Sequence, residues 1–293
     1  MSKYIILLPL YNDWDNLNIL VNKIKEIAKK DSFNFRIVVV NDCSTKPAKI
    51  NFVKSNLIHE LLILNLSKNL GSQRAIAIGL KFINEHYNKI EKDSFTIVMD
   101  SDGQDNPEVL SELIKINNKK YDNDLIAVER ANRSEPLWFK ILYKLHKYIL
   151  FILTGKLIKF GNFTLIKNSK LHKIVYSIDL WAAYPAAIVT NYNKITKIKK
   201  DRQKRFSGNT KMNFFKLFDH AGRVFSVFKG RILLSSLFYI IISFFILNLN
   251  IYFLTILYLF VLINSYIFFV YFKNLINFKK INSEIDLEIK NIF

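Results

Sequence analysis

The sequence predicts an α/β fold with a mostly parallel sheet, followed by a two-helix transmembrane hairpin. Three observations carry this. Short apolar runs rich in β-formers alternate with amphipathic helical stretches from Tyr4 to Val128, the pattern of strands joined by helices that cover a parallel sheet. The central run, Phe95 to Met99, passes straight into Asp100, Asp102 and Asp105, and open α/β sheets place ligands at the carboxyl ends of their strands. Further on, Ile232–Leu249 and Ile251–Phe272 run for 18 and 22 residues without a charge, each long enough to cross a bilayer.

Taken in order, Tyr4 to Pro9 reads as a buried first strand. It is too short for a signal peptide, contains Pro9 and runs into Asn12 and Asp13, so the amino-terminal domain is expected to start in the cytoplasm. Asn12 or Asp13 can cap a helix over Trp14 to Lys30, with Leu17, Leu20, Val21, Ile24 and Ile27 on one face. Phe35 to Val40 is nearly all apolar, hence a strand buried on both faces, and Asn41-Asp42-Cys43-Ser44 follows it. Leu61 to Leu66 is the third strand. A helix follows from about Gln73 to Glu85, with Ile76, Leu80 and Ile83 as its buried stripe. Gly71 allows a tight turn or a close backbone approach before that helix, and Ala75 and Gly79 suit close packing on the sheet. After the central strand, Pro107 fits the first turn of a helix reaching about Ile116. Leu125 to Val128 is a fifth strand, ending at Glu129 and Arg130.

Composition narrows the function. The chain has 293 residues, a net charge of +19, one cysteine and five histidines. One cysteine excludes a disulfide framework and a cysteine zinc site, and the histidines lack metal-ligand spacing. Neither G-x-G-x-x-G nor G-x-x-x-x-G-K-[ST] occurs, so a Rossmann dinucleotide site and a P-loop are not supported. A basic charge fits nucleic acid or an anionic membrane, and the membrane hairpin accounts for much of it better, so no nucleic-acid partner is expected.

Three carboxylates within six residues repel one another. They are either a solvated acidic turn or the oxygen ligands of a hard cation such as Mg²⁺ or Mn²⁺, which often bridges to phosphates. Asp42 and Asp100 both lie just past strand ends. A carboxylate there is a turn or cap residue, or it accepts hydrogen bonds from a base N–H or ribose hydroxyls.

Read together, Pro9, Tyr11 and Asn12, then Asn41-Asp42-Cys43-Ser44, Asn69-x-Gly71 and Asp100-x-Asp102-x-Gln104 resemble the ordered motifs of family 2 glycosyltransferases. Arg130-x-x-Arg133, Gly161-Asn162-Phe163, and Arg202 with Gly208-x-x-Lys211-Met212 resemble the branch containing dolichyl- and polyprenyl-phosphate sugar synthases. The match covers about Lys3 to Lys229. The resemblance implies a GT-A (nucleotide-diphospho-sugar transferase) fold, a nucleoside-diphosphate sugar donor and a divalent metal, Mg²⁺ or Mn²⁺. It places Pro9, Tyr11, Asn12, Asp42, Asn69, Gly71, Asp100 and Ser101 around the nucleotide, and Asp100, Asp102 and Gln104 at the metal. Three positions depart from the family pattern. Cys43 stands where Gly is usual, and Asn162 and Thr164 stand where many polyprenyl-phosphate enzymes carry Asp and Arg.

The second half bears on the acceptor. Arg matches phosphate bidentately, so Arg130, Arg133, Arg202 and Lys211 form, with Asp102, the expected catalytic set. On charge alone, Asp201 to Lys211 would be a solvated loop. Trp181 to Val189 is apolar and aromatic and either packs as core or lines an acceptor groove; Trp181 and Asn162 are the expected acceptor contacts. A hydroxyl acceptor needs a general base, and Asp179 is the carboxylate in that neighbourhood. A phosphate acceptor is already anionic and needs positive charge instead. The sequence therefore favours a polyprenyl phosphate attacking the anomeric carbon, with a hydroxyl acceptor on a glycolipid as the alternative. A non-catalytic scaffold that binds a nucleotide sugar is the reading from another class.

The apolar stretches are about 27 and 33 Å long as helices, separated by Asn248-Leu249-Asn250. Lys229 and Arg231 precede the first; Lys273, Lys279 and Lys280 follow the second. Both flanks and both termini are thus expected in the cytoplasm. The expected division is a catalytic domain over 1–211, an amphipathic segment over 212–230, two spanning helices over 231–273 and a cytoplasmic tail over 274–293. Leu137–Leu153 and Phe214–Phe228 mix aromatic and basic residues and read as interfacial helices or as packing against the hairpin. The sequence leaves the oligomeric state open, a homo-oligomer included.

Overall fold

The computed structural model describes residues 3–52, 55–87, 93–119, 124–131, 137–208, 214–284 and 287–292. The elements run β1 (Tyr4–Leu10), α1 (Trp14–Asp31), β2 (Phe35–Asn41), β3 (Ile58–Leu66), α2 (Ser72–His86), β4 (Phe95–Val98), α3 (Val109–Lys119), β5 (Leu125–Arg130), α4 (Leu137–Thr154), β6 (Phe160–Lys167), α5 (Ile178–Ala182), α6 (Tyr184–Asn191), β7 (Thr196–Lys200), α7 (Phe214–Val227), α8 (Lys229–Leu247), α9 (Ile251–Glu284) and β8 (Leu287–Asn291). All strands join one sheet in the order β7-β5-β6-β4-β1-β2-β3-β8. Strands β4, β1, β2 and β3 are parallel neighbours, as are β5 and β7. Strand β6 lies antiparallel between β4 and β5, and β8 antiparallel to β3.

Period-two alternation assigns the apolar residues to two layers. Ile5, Leu7, Val38, Val40 and Leu64 face α2, α5 and α6. Ile6, Leu8, Ile37, Val39 and Ile63 face α1 and α3. Helix α2 sits close because Gly79 lacks a side chain: a Cβ there would lie 2.4 Å from Cδ1 of Leu7. The packing places the carboxyl ends of β4, β1 and β2 side by side, so the segments after Val98, Leu10 and Asn41 emerge at one end of the sheet.

A third apolar cluster joins this α/β domain to the last helices through Leu150 and Leu153 of α4, Ala182, Ala186, Val227 of α7 and Ile232 of α8. The outer faces of α4 and α7 stay apolar, with Ile141, Leu145 and Tyr148 exposed on one and Phe215 and Phe218 on the other. Both stretches read as interfacial are helices, and each also packs inward.

Helices α8 and α9 are long and apolar enough to cross a membrane, with mean hydropathy 2.1 and 2.3 in 18-residue stretches of Lys229–Leu247 and Ile251–Ile281. They join at Asn248 to Asn250, where Asn250 Oδ1 accepts the Phe253 N–H at 3.0 Å. At 34 residues, α9 is about 51 Å long, well beyond a hydrocarbon core of about 30 Å. Lys273 and the lysines that follow end its apolar stretch but not the helix, which runs on so that Phe278 packs edge-on against Trp181 at 5.7 Å. The chain then pairs β8 with β3, Leu287 opposite Leu66. Strands β6, β7 and β8 go beyond the five the sequence predicts. The latter two are sheet edges, where charged residues replace the apolar alternation that marks a strand.

Candidate active site

The site grows from the strand ends. After β1, Tyr11 is exposed and Asn12 takes a left-handed turn (φ +54°). The Asn12 N–H donates to Ser44 Oγ at 2.8 Å, and its Oδ1 accepts the Lys46 N–H at 2.8 Å, so the loops after β1 and β2 hold each other. After β2, Asp42 is 2% exposed. Its carboxylate accepts the N–H groups of Leu70 (2.6 Å) and Gly71 (2.8 Å), and its carbonyl accepts from Asn69 Nδ2 at 3.0 Å. Burial pushes the Asp42 pKa up, and those two N–H groups pull it back. Gly71, at φ +87°, stands at the start of α2. The buried Ser101 hydroxyl donates to the Pro9 carbonyl at 2.8 Å, so the turn after β4 is fastened to the end of β1.

After β4 the three carboxylates separate. Asp100 accepts from Asn162 Nδ2 on Oδ1 at 2.8 Å and faces Arg202 Nη2 from Oδ2 at 3.3 Å. Asp102 accepts the Gln104 N–H on Oδ1 at 2.9 Å and Arg205 Nη1 on Oδ2 at 2.7 Å. Asp105 turns inward and accepts the Asp100 N–H at 2.9 Å, so it braces the turn from beneath. Burial and then the Asp100 charge push Asp105 up to about 7. The same two causes raise Asp102, against the pull of Gln104 N–H and Arg205.

The basic segment after β7 lies over this turn. The Gln203 N–H donates to the Gln104 carbonyl at 3.0 Å and the Phe206 N–H to the Asp102 carbonyl at 3.2 Å. The Phe206 ring covers Gly103, at φ +82°, where a Cβ would come within 2.4 Å of the ring. Arg130 lies against Gly161, beside a small cavity also lined by Asp105, Phe163, Lys200 and Arg202. Arg133 and Lys211 lie outside the described residues.

A divalent cation suits this donor set. Among the described residues no three His, Cys, Asp or Glu side chains converge to hold a metal. Two carboxylates with diphosphate and water oxygens are, however, the usual complement for Mg²⁺. The Arg202 and Arg205 guanidinia each rest on one of the two carboxylates, so both positions already take a positively charged partner.

Several neighbours escape prediction. Gln73 Nε2 donates to Asn162 Oδ1 at 3.1 Å while its Oε1 accepts the buried Tyr184 N–H at 2.8 Å. Asp100, Asn162, Gln73 and Tyr184 therefore form one line of hydrogen bonds. Thr164 bonds the Tyr184 hydroxyl. Arg205 also binds Asp13 at 2.5 Å. Only the dense polar run from Lys68 to Arg74 signals Gln73. Trp181 is buried near α9, and Asp179 has the Lys229 charge as its neighbour, so neither borders the Asp100 turn through any of these contacts.

Comparison with known proteins gives the family and the fold. The chain is 26% identical over 234 residues to an uncharacterized glycosyltransferase of Synechocystis sp., covering 74% of this chain and 66% of that one. It is 24% identical over 223 residues to an undecaprenyl-phosphate 4-deoxy-4-formamido-L-arabinose transferase of Photorhabdus laumondii, covering 74% and 65%. The chain thus spans just under two thirds of the length of these curated relatives. Among solved structures it is similar to glucosyl-3-phosphoglycerate synthase from Mycobacterium tuberculosis, in a complex with Mn²⁺, uridine diphosphate and glucosyl-3-phosphoglycerate (TM-score 0.54, 10% identity, 78% of this chain and 80% of that chain). At that identity the likeness speaks for the fold, which is GT-A. The family model described as Glycosyl transferase family 2 matches residues 5–192, and the chain belongs to that family.

Proposed function

We propose that the protein is a membrane-anchored, inverting glycosyltransferase that moves a sugar from a nucleoside-diphosphate sugar to a polyprenyl phosphate. One observation carries this: Asp100 and Asp102, each bridged to an arginine of the 201–208 segment, lie at a strand end in a chain that also carries two helices long enough to span a bilayer. The relatives named undecaprenyl-phosphate 4-deoxy-4-formamido-L-arabinose transferases support a lipid-phosphate acceptor.

In this reading Pro9, Tyr11, Asn12, Asp42, Asn69, Gly71 and Ser101 shape the nucleotide crevice. Asp42 acts mainly by holding Leu70 and Gly71 in place. Asp100, Asp102 and Gln104 hold Mg²⁺ or Mn²⁺, which when bound supplies positive charge to the leaving diphosphate. An oxygen of the acceptor phosphate bonds to the anomeric carbon while the bond to the diphosphate breaks, the electron pair leaving with the nucleoside diphosphate. The attacking oxygen carries no proton, so no general base is required. Arg130, Arg133, Arg202 and Lys211 supply the charge that binds the phosphates. The lysine and arginine flanks of α8 and α9 favour both termini in the cytoplasm and Asn250 on the far side.

The test is to incubate the purified protein with a panel of nucleotide sugars and undecaprenyl or dolichyl phosphate and identify products by mass spectrometry. A sugar-phospholipid product is expected. Transfer to a glycolipid hydroxyl, with none to the lipid phosphate, overturns the acceptor assignment.

A further inference from the structure

Where α2 meets α9 lies a second basic cluster that the site above does not use. Arg74 follows Gln73 in α2 and has a different set of partners. Its Nη1 donates to the Leu70 carbonyl and its Nη2 to Asn274 Oδ1, both at 3.2 Å, and its guanidinium lies 5.6 Å from the Trp181 ring centre. Arg223 of α7 pairs with Asp219 one turn earlier at 3.1 Å.

The cluster is rich in donors and short of acceptors. Among the described residues, Nε of Arg74, Nε of Arg223, Nε1 of Trp181 and Nδ2 of Asn274 are buried without a hydrogen-bond partner. Trp181 is 2% and Asn274 3% exposed. Buried donors are seldom left unpaired in native proteins. Helix α7 packs on α5, with Val224 beside Arg223 and Ala182 beside Trp181 in one apolar cluster, and burial and then the Arg223 charge lower the Arg74 pKa. Of the nearby carboxylates, Asp42 is committed to two backbone N–H groups and Asp219 lies largely in solvent. The chemistry that answers two repelling guanidinia and two orphaned N–H groups is a multivalent oxyanion.

Its surroundings say where that anion comes from. Asn274 stands just past the apolar stretch of α9, two residues beyond Phe272, which with α9 in a bilayer is the height of a lipid headgroup. The outer faces of α4 and α7 beside it present apolar side chains, Phe215 being 81% exposed. Through Gln73 and Asn162 the cluster is one residue and two hydrogen bonds from Asp100.

We propose that Arg74, Arg223, Asn274 and Trp181 form an entry subsite that holds the phosphate of a lipid phosphomonoester where α2, α5, α7 and α9 meet. It rests on the acceptor reading above and adds the place where the acceptor's phosphate is first held as it rises from the bilayer.

The test measures binding without turnover: full-length protein in neutral phosphatidylcholine nanodiscs, with undecaprenyl phosphate as the probe and bound lipid counted by native mass spectrometry. Arg223→Gln and Arg74→Gln are each expected to weaken binding at least tenfold. Asn274→Asp gives the arm that a structural role would not reproduce. Its carboxylate would neutralise Arg74, raising the melting temperature of the lipid-free protein while abolishing lipid binding. Unchanged affinity in Arg223→Gln and Asn274→Asp overturns the proposal. So does equal binding of phosphatidylglycerol, which would make this a general anionic-lipid surface, or of inorganic phosphate, which would make the lipid irrelevant. The two readings fail separately. Lost binding in the variants with no transfer from any nucleotide sugar keeps the subsite and removes the activity; transfer by wild type with unaltered binding in the variants does the reverse.

Discussion

Arg205 binds two carboxylates at once, Asp102 at 2.7 Å and Asp13 at 2.5 Å, and so ties the segment after β7 to the turn after β4 and to the start of α1. A metal ion that uses Asp102 must compete with this arginine. A hydrogen bond to a charged group is worth about 1.5–3 kcal/mol, so Arg205→Ala is expected to tighten Mn²⁺ binding roughly tenfold or more and to lower the melting temperature. Mn²⁺ titration followed by electron paramagnetic resonance reads the first effect without turnover. Chelator should abolish transfer and Asp102→Asn should cut it by orders of magnitude; full activity of Asp102→Asn in chelator would refute the metal assignment.

Gln73 is the hinge of the line from Tyr184 to Asp100. Gln73→Leu leaves the buried Tyr184 N–H unpaired, which should cost about 1–3 kcal/mol of stability. It also releases Asn162, so kcat/KM should fall about tenfold for loss of one net hydrogen bond. Denaturant titration and steady-state kinetics check the two effects. Gln73→Glu keeps an acceptor for Tyr184 but offers no donor to Asn162, and should recover the stability without the activity.

His220, on α7, is pushed down to about 4 by burial first, then by the Arg223 and His146 charges and by Arg130, with Asp219 opposing. An unfolded histidine titrates near 6.5. Between those values the unfolded chain binds the extra proton, so stability is full above about pH 6.5 and falls as pH drops toward 4, by at most about 1.4 kcal/mol per pH unit. His220→Gln should flatten that part of the melting-temperature profile. An unchanged slope would mean His220 is already charged in the fold.

Asp179 separates the two acceptor readings. Burial raises its pKa, and the Lys229 charge pulls it down. With a phosphate nucleophile it has no proton to take, so Asp179→Asn should change kcat by less than about threefold. With a hydroxyl acceptor the loss should be about 10²–10⁴-fold, the usual worth of a general base. Assays with both acceptor classes decide between them.

The first half of the fold is legible because each element is written in local periodicity. Phe35 to Val40 could be little but a doubly buried strand, and Leu17, Leu20, Ile24 and Ile27 mark one helical face; both elements lie within a residue or two of expectation. Strand β7 is Thr-Lys-Ile-Lys-Lys, with a single apolar side chain, and β8 alternates charge with Leu287 and Ile289. Edges need only one partner and little core, so their sequences carry little signal. The site divides in the same way. Asp42, Asp100 and Asp102 announce themselves at strand ends. The partners that fix them, Asn162 at 62 residues from Asp100 and Arg205 at 103 from Asp102, are brought there by topology, which no local pattern encodes.

The two margins of the sheet are β7 and β8, and the chain between them is α7, α8 and α9. With α8 and α9 in a bilayer, the polypeptide leaves the sheet at one margin, passes through the lipid twice and is fastened again at the other. A platform tethered at both margins to the same anchor can neither swing away nor tilt freely. Its strand ends therefore stand at a set height over the lipid surface. Such an arrangement works as a gauge: it registers how far a headgroup stands above the membrane and is indifferent to the length of the chain beneath. Acceptors with the same phosphate and very different tail lengths should accordingly be used at similar rates.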